Sequence, residues 1–184
     1  MESKIKIHHT LLPEVKLIQP QIFEDERGFF YESFNQQKFN DSLGLNINFV
    51  QDNHSLSKYG VLRGLHYQDI PFAQGKLVRV TNGKIFDVAV DIRKSSKNFG
   101  KWTSAILSAE NKNQLWIPEG FAHGFLVLSD FAEMQYKTTN FYSFKHEKCI
   151  AYNDDFIGIS WPKISVELNI SDKDRHGRTL SNFE

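Results

Sequence analysis

From Lys84 to Arg93 the residues Phe86, Val88, Val90 and Ile92 alternate with Asp87, Ala89, Asp91 and Arg93. A period of two with one apolar face is the pattern of a β-strand. Asn82-Gly83 just before it tolerates positive φ at both positions, so Lys76–Thr81 is expected to pair with this strand as a hairpin. Further β-rich runs are Gly28–Phe34, Ile47–Asn53, Val61–His66, Trp102–Leu107, Gln114–Ile117, His123–Leu128 and Met134–Thr139, separated by turn-type residues at short intervals. One helix is expected over Asn35–Leu43, where Phe39 and Leu43 stand four apart and Gly44 can cap the C-terminus. A second, short one is expected near Ser171–Arg175. A parallel sheet would need a helix between most strands, so the pattern predicts an all-β jelly-roll barrel with one or two short helices.

Length and charge narrow the function. The 184 residues carry no internal repeat, low-complexity tract or linker, and are expected to form a single domain over 1–184. Lys+Arg and Asp+Glu are both 22, so no global field recruits nucleic acid or an anionic membrane. Any anionic ligand must meet arginines placed locally. The opening MESKIKIHHT lacks the apolar core of a signal peptide and no window reaches the ~20 apolar residues of a membrane helix, so a cytoplasmic location is expected. Cys149 is the single cysteine, which excludes an intrachain disulfide and a cysteine-based zinc cluster.

Two histidines sit in glycine-bracketed segments, GVLRGLHYQ (Gly60–Gln68) and PEGFAHGF (Pro118–Phe125). Their arrangement resembles the two signatures of the cupins, in which His-x-His, a Glu and a later His together hold a transition metal. Here His66 and His123 are present, but Gln68 stands at the second His position and Phe72 or Ala73 at the Glu position. Two imidazoles make a poor metal site, because such sites generally use at least three protein ligands. The expectation is a cupin-like barrel, a double-stranded β-helix, with no metal and no cofactor. A lone histidine on a strand is more often structural than catalytic. Around His66, however, lie Arg63, Gln74 and Lys76, and alternate strand residues of a small barrel point inward. Cations directed into a barrel are costly unless they hold a ligand or a counter-charge, which predicts an anion-accepting pocket.

Eight stretches then occur in a recognisable order: DERGFFYESFN (Asp25–Asn35), FVQDNHS (Phe49–Ser55), VLRGLHYQ (Val61–Gln68), AQGKLVRV (Ala73–Val80), FDVAVDIR (Phe86–Arg93), QLWIPEGFAHGF (Gln114–Phe125), YKTTNFY (Tyr136–Tyr142) and SDKD (Ser171–Asp174). Together they resemble the dTDP-4-dehydrorhamnose 3,5-epimerase family over nearly the whole chain. That family inverts C3 and C5, which flank the C4 ketone of dTDP-4-dehydro-6-deoxy-D-glucose. A proton α to a ketone can leave because the charge delocalises onto the carbonyl oxygen. Inversion needs a base on one face and an acid on the other.

The resemblance implies His66 as base, Asp174 as the carboxylate that orients it, Tyr136 as acid and Lys76 as stabiliser of the enolate oxygen. It also implies substrate binding by Arg27, Glu32, Gln51, Asn53, Arg63, Lys76, His123, Tyr142, Glu147 and Lys173. Arginine suits the diphosphate, since its planar fork donates two parallel hydrogen bonds. Phe23, Phe30 and Tyr142 are candidates to stack on thymine or sugar, although core filling would equally account for the two phenylalanines. The segment around Arg27 and Glu32 reaches the neighbouring subunit's site in this family, which implies a homodimer. Departures are small: Phe141 stands where a tyrosine is common, and the tail after Asp174 is short. Three other readings compete. They are a mono-epimerase acting at C5 or C3 only, a metal cupin oxygenase disfavoured by Gln68, and a non-catalytic carbohydrate-binding jelly roll, which gives His66, Asp174 and Tyr136 no joint role.

Overall fold

A computed structural model describes residues 5–182. The chain begins with β1 (Ile5–His9), β2 (Lys16–Pro20), β3 (Phe23–Asp25), β4 (Gly28–Phe30) and α1 (Gln36–Leu43). It continues through β5 (Gln51–Lys58), β6 (Val61–Gln68), β7 (Lys76–Asn82), β8 (Lys84–Asp91), β9 (Trp102–Ser108) and β10 (Gln114–Ile117). Then come β11 (Phe121–Val127), β12 (Phe131–Thr138), β13 (Glu147–Cys149), β14 (Asn169–Ile170), α2 (Asp172–Arg175) and a final 3-10 turn over Leu180–Asn182. One antiparallel sheet has the order β1-β2-β10-β7-β12-β5 and the other β13-β6-β11-β8-β9, with β14 parallel to the start of β6. Two such sheets face to face make the expected cupin-like jelly roll.

The core between the sheets follows from alternation along each strand. Val78, Val80, Leu115, Ile117, Ala132 and Met134 from the first sheet meet Ile85, Ala89, Leu107, Phe121, Phe125 and Val127 from the second. Odd-numbered Leu77 and even-numbered Trp116 point the other way and join Ile18 and Phe39 of α1 in a cluster on the first sheet's outer face. Val88, Val90 and Ile92 likewise point outward, under Ile150, Ile157 and Leu180 of the C-terminal segment. The apolar face read from Lys84–Arg93 is therefore the outer face. Its polar row, including the fully buried Asp87, turns into the barrel.

Several expected elements shift. Lys76–Thr81 does not pair with the strand after Asn82-Gly83: Asn82 is opposite Glu133 on β12, whereas Lys84 is opposite Ser108 on β9. The turn is a corner where the chain crosses from one sheet to the other, and Gly83, at φ 76°, passes so close to the Phe131 carbonyl that a Cβ would lie 2.0 Å from it. The expected strand Ile47–Asn53 starts only at Gln51, because side chains of α1 satisfy the backbone before it. Gln36 and Asn40 donate to the Ile47 carbonyl at 2.8 and 3.0 Å, and Gln36 accepts from the Phe49 N–H. Gly28–Phe34 forms a strand only to Phe30. The helix stands as expected, with Asn35 accepting from the Lys38 N–H as N-cap and Gly44 left-handed at φ 64° as C-cap.

Candidate active site

Alternation on β6 should put Arg63 and His66 on opposite faces, being three apart. The strand carries one extra residue between them: His66 is opposite His123 on β11, but Arg63 is opposite Phe125. Such a bulge re-aims side chains. It centres on Gly64, at φ 121°, whose missing Cβ would lie 2.5 Å from the Gly124 Cα. Both Arg63 and His66 consequently enter the same cavity, of about 600 Å³, between the two sheets. The second sheet contributes His66, His123 and Arg63, and the first contributes Lys76 and Tyr136. Tyr142, Glu147, Lys173 and Asp174 close its rim.

His66 is held by Asp174. The imidazole Nε2 lies 2.7 Å from Asp174 Oδ1, while the Gly64 N–H donates to Asp174 Oδ2 at 2.9 Å. A carboxylate at Nε2 favours the proton on that nitrogen, which in the neutral ring leaves Nδ1 as the acceptor. Asp174 itself sits on α2, where Ser171 caps the first turn by accepting the Asp174 N–H at 3.2 Å. Burial works to raise the Asp174 carboxyl, but the His66 and Gly64 hydrogen bonds outweigh it and hold the carboxyl below its ordinary range. The side chain of His66 is 28% exposed, toward the cavity.

A second pair lies beside the first. His123 Nε2 stands 3.0 and 2.9 Å from the two Asp87 oxygens, and both residues are buried. Each histidine's Nε2 is thus committed to a carboxylate. With Gln68 in place of a third ligand, the pair does not make a cupin-type metal site. Gln68 is buried and serves instead as a loop clamp. Its amide donates to the Phe72 and Phe141 carbonyls at 2.6 and 3.1 Å, and its oxygen accepts the Ser143 N–H at 2.7 Å. That clamp holds the loop that brings Tyr142 over the cavity.

Lys76 is the buried cation of the site, its ammonium donating to the His66 carbonyl at 3.3 Å. Desolvation lowers its pKa to about 8, against the opposing pull of Asp87 and Glu147. Tyr136 lines the same cavity from the neighbouring strand β12. Burial, reinforced by Glu147 and opposed by Arg63, raises its pKa, so the phenol is a firm proton holder at neutral pH. Glu147 is ion-paired with Lys173 and accepts from the Tyr142 hydroxyl at 2.8 Å. Arg63, also on the cavity lining, donates from Nε to Ser57 Oγ at 3.1 Å.

A family model described as dTDP-4-dehydrorhamnose 3,5-epimerase matches residues 9–182. The chain belongs to this family. A dTDP-4-dehydrorhamnose 3,5-epimerase of Shigella flexneri is 61% identical over 169 residues, spanning 92% of each chain. One of Pseudomonas aeruginosa is 54% identical over 180 residues, spanning 98% of each. The crystal structure of a dTDP-6-deoxy-D-glucose-3,5-epimerase of Legionella pneumophila, in complex with dTDP-4-keto-L-rhamnose, superposes with a TM-score of 0.95 at 49% identity, covering 98% of this chain and 95% of that one.

Of the family-matched positions, His66, Lys76, Arg63, His123, Tyr136, Tyr142, Glu147, Lys173 and Asp174 line the one cavity. Gln51 and Asn53 extend the same wall along β5: Gln51 donates to Asn53 at 2.9 Å and accepts the Tyr142 N–H at 3.0 Å. Arg27 and Glu32 do not join them. Arg27 pairs with Asp25 at the exposed tip of the β3–β4 hairpin, beside Phe23 and Phe30, and Glu32 pairs with Lys38 at 2.8 Å. Gln74, expected near His66, instead donates to the Asn140 carbonyl at 2.8 Å. Sequence reasoning missed Asp87, Ser57 and Cys149. Asp87 had a signal, since an aspartate in the middle of a strand buried on both faces must have a partner.

Proposed function

We propose that this epimerase inverts C3 and C5 of dTDP-4-dehydro-6-deoxy-D-glucose, giving dTDP-4-dehydro-L-rhamnose, with His66 as base and Tyr136 as acid. The observation that carries the reading is that the His66–Asp174 pair and Tyr136 come from opposite sheets onto one cavity that Lys76 also lines. His66 Nδ1 takes the α-proton, and the resulting enolate oxygen meets the Lys76 ammonium. Tyr136 returns a proton from the opposite face, so the centre inverts. A preorganised cation aimed at developing charge is among the strongest aids to such a step. The test is NMR of the reaction in D₂O. Deuterium at both C3 and C5 of the product supports the double inversion, and deuterium at one carbon alone makes the enzyme a mono-epimerase.

Arg63 and Lys173 are the cations offered to the diphosphate, and Tyr142 the ring offered to the sugar or thymine. Arg27 and Glu32 lie outside their own chain's cavity, on and just after a hairpin that exposes Phe29 and Phe30. A homodimer in which this hairpin serves the partner's cavity gives both residues a role. Light scattering of the wild type and of Arg27→Ala, with the variant's KM, tests it: a monomeric wild type or an unchanged KM would refute it.

The chemistry needs no metal, because the Lys76 ammonium supplies the positive charge at the enolate. Dialysis against a chelator is expected to leave turnover intact.

A further inference from the structure

Cys149 has no part in the mechanism above, yet it stands beside it. On β13 it is directly opposite His66 across the strand pair, and its sulfur lies 3.8 Å from Asp174 Oδ1. The His66 nitrogen, the Cys149 sulfur and the Asp174 oxygen are all within 4.8 Å of one another. They come from β6, β13 and α2, so the cluster is made by the fold and not by one flexible loop.

We propose that these three side chains form a binding site for zinc, and that zinc bound there inhibits the enzyme. A thiolate, an imidazole and a carboxylate are the donor types zinc prefers, and three protein ligands with one open position is the arrangement of non-structural zinc sites. Zinc bonds of roughly 2.0–2.3 Å in a tetrahedron place donor atoms about 3.5 Å apart. The Asp174–Cys149 separation of 3.8 Å is near that value, and the His66–Asp174 separation of 2.7 Å must open by less than an ångström. Asp174 Oδ2 remains anchored by the Gly64 N–H, leaving Oδ1 for the metal.

Inhibition follows from the proton inventory. When zinc takes Nε2, the imidazole's proton moves to Nδ1 and the thiol gives its proton to solvent. Nδ1 then has no lone pair with which to accept a substrate proton. The inhibitory half of the proposal rests on His66 being the base, and the binding half does not.

Cobalt serves as the spectroscopic probe. Adding cobalt chloride to the wild-type protein should produce a thiolate-to-cobalt charge-transfer band, at one ion per chain, that is absent in Cys149→Ser. Zinc chloride should displace the cobalt and stop epimerisation, a chelator should restore it, and magnesium should do neither. In Cys149→Ser the zinc concentration for half-inhibition should rise by roughly tenfold or more, since losing even a group that only orients a ligand costs about 10–100-fold in affinity. Circular dichroism would check that Cys149→Ser folds, with Cys149→Ala as the replacement if it does not. No charge-transfer band in the wild type would overturn the site. A band without loss of turnover would overturn the inhibition and count against His66 as base, and equal zinc sensitivity of wild type and variant would place the inhibiting metal elsewhere.

Discussion

His66–Asp174 and His123–Asp87 are the same chemical pair on strands that neighbour each other, and the two histidines are opposite one another in register. They differ in what surrounds them. Asp87 and His123 are both buried, with side chains 0% and 8% exposed, whereas His66 keeps 28% of its side chain open to the cavity. Asp174 arrives from a four-residue helix capped by Ser171, not from a strand. The same pair is thus a buried part of the wall in one place and, in the proposed mechanism, an accessible base in the other. Accessibility, set by the Gly64 bulge and the late-arriving α2, separates the two roles.

Substitutions break this comparison most sharply at His66. His66→Asn should cost about 10²–10⁴-fold in turnover, the usual contribution of a general base, with little loss of stability. Asp174→Asn should follow closely. An amide in place of the carboxylate no longer fixes the proton on Nε2, and in another enzyme class the equivalent change costs about 10⁴-fold. The check is kcat by NMR beside the melting temperature, which should move little relative to the loss of rate.

Asp87→Ala is the mirror experiment. It leaves buried His123 without its partner, at a cost of about 1–3 kcal/mol, or a melting temperature lower by about 2–4 °C per kcal/mol in a chain of this size. Calorimetry should show the larger stability loss here and the larger rate loss in Asp174→Asn. The reverse ranking would dissolve the distinction between the pairs.

Lys76 sharpens the comparison through pH. Its pKa is lowered from 10.5 to about 8 by burial, so the activity of the free enzyme should fall as pH rises through about 8, where the cation meant for the enolate is lost. Stability carries the opposite sign. A lysine with a depressed folded pKa costs stability fully below about pH 8, and that cost is relieved between about 8 and 10.5. Lys76→Met should have low activity without this alkaline limb. The smallest effect is expected for Tyr142→Phe, which removes one hydrogen bond to Glu147 at the exposed rim and should raise KM by no more than about tenfold.

Much of this arrangement was legible in the sequence, and the gaps have physical reasons. Period-two runs located the central strands, and the Phe39/Leu43 spacing with Gly44 located the helix, because those signals are local. The Asn82-Gly83 turn misled because a glycine corner between sheets and a hairpin use the same backbone freedom. Only the pairing of Asn82 with β12 and Lys84 with β9 distinguishes them. Arg63 and His66 share a cavity through a bulge that alternation alone cannot register. Short edge strands such as β13 and β14 carry no periodicity of their own, and with β13 the position of Cys149 stayed hidden. Nine of the residues named by the family resemblance line the cavity, while Arg27 and Glu32 lie outside it.

The division of labour between the two sheets is tested most directly by solvent exchange in Tyr136→Phe. In D₂O with dTDP-4-dehydro-6-deoxy-D-glucose, the variant should still exchange a proton at C3 or C5 through His66, while product formation falls about 10²–10⁴-fold. Turnover at the wild-type rate, or the same exchange persisting after His66→Asn is added, would contradict a base on one sheet and an acid on the other.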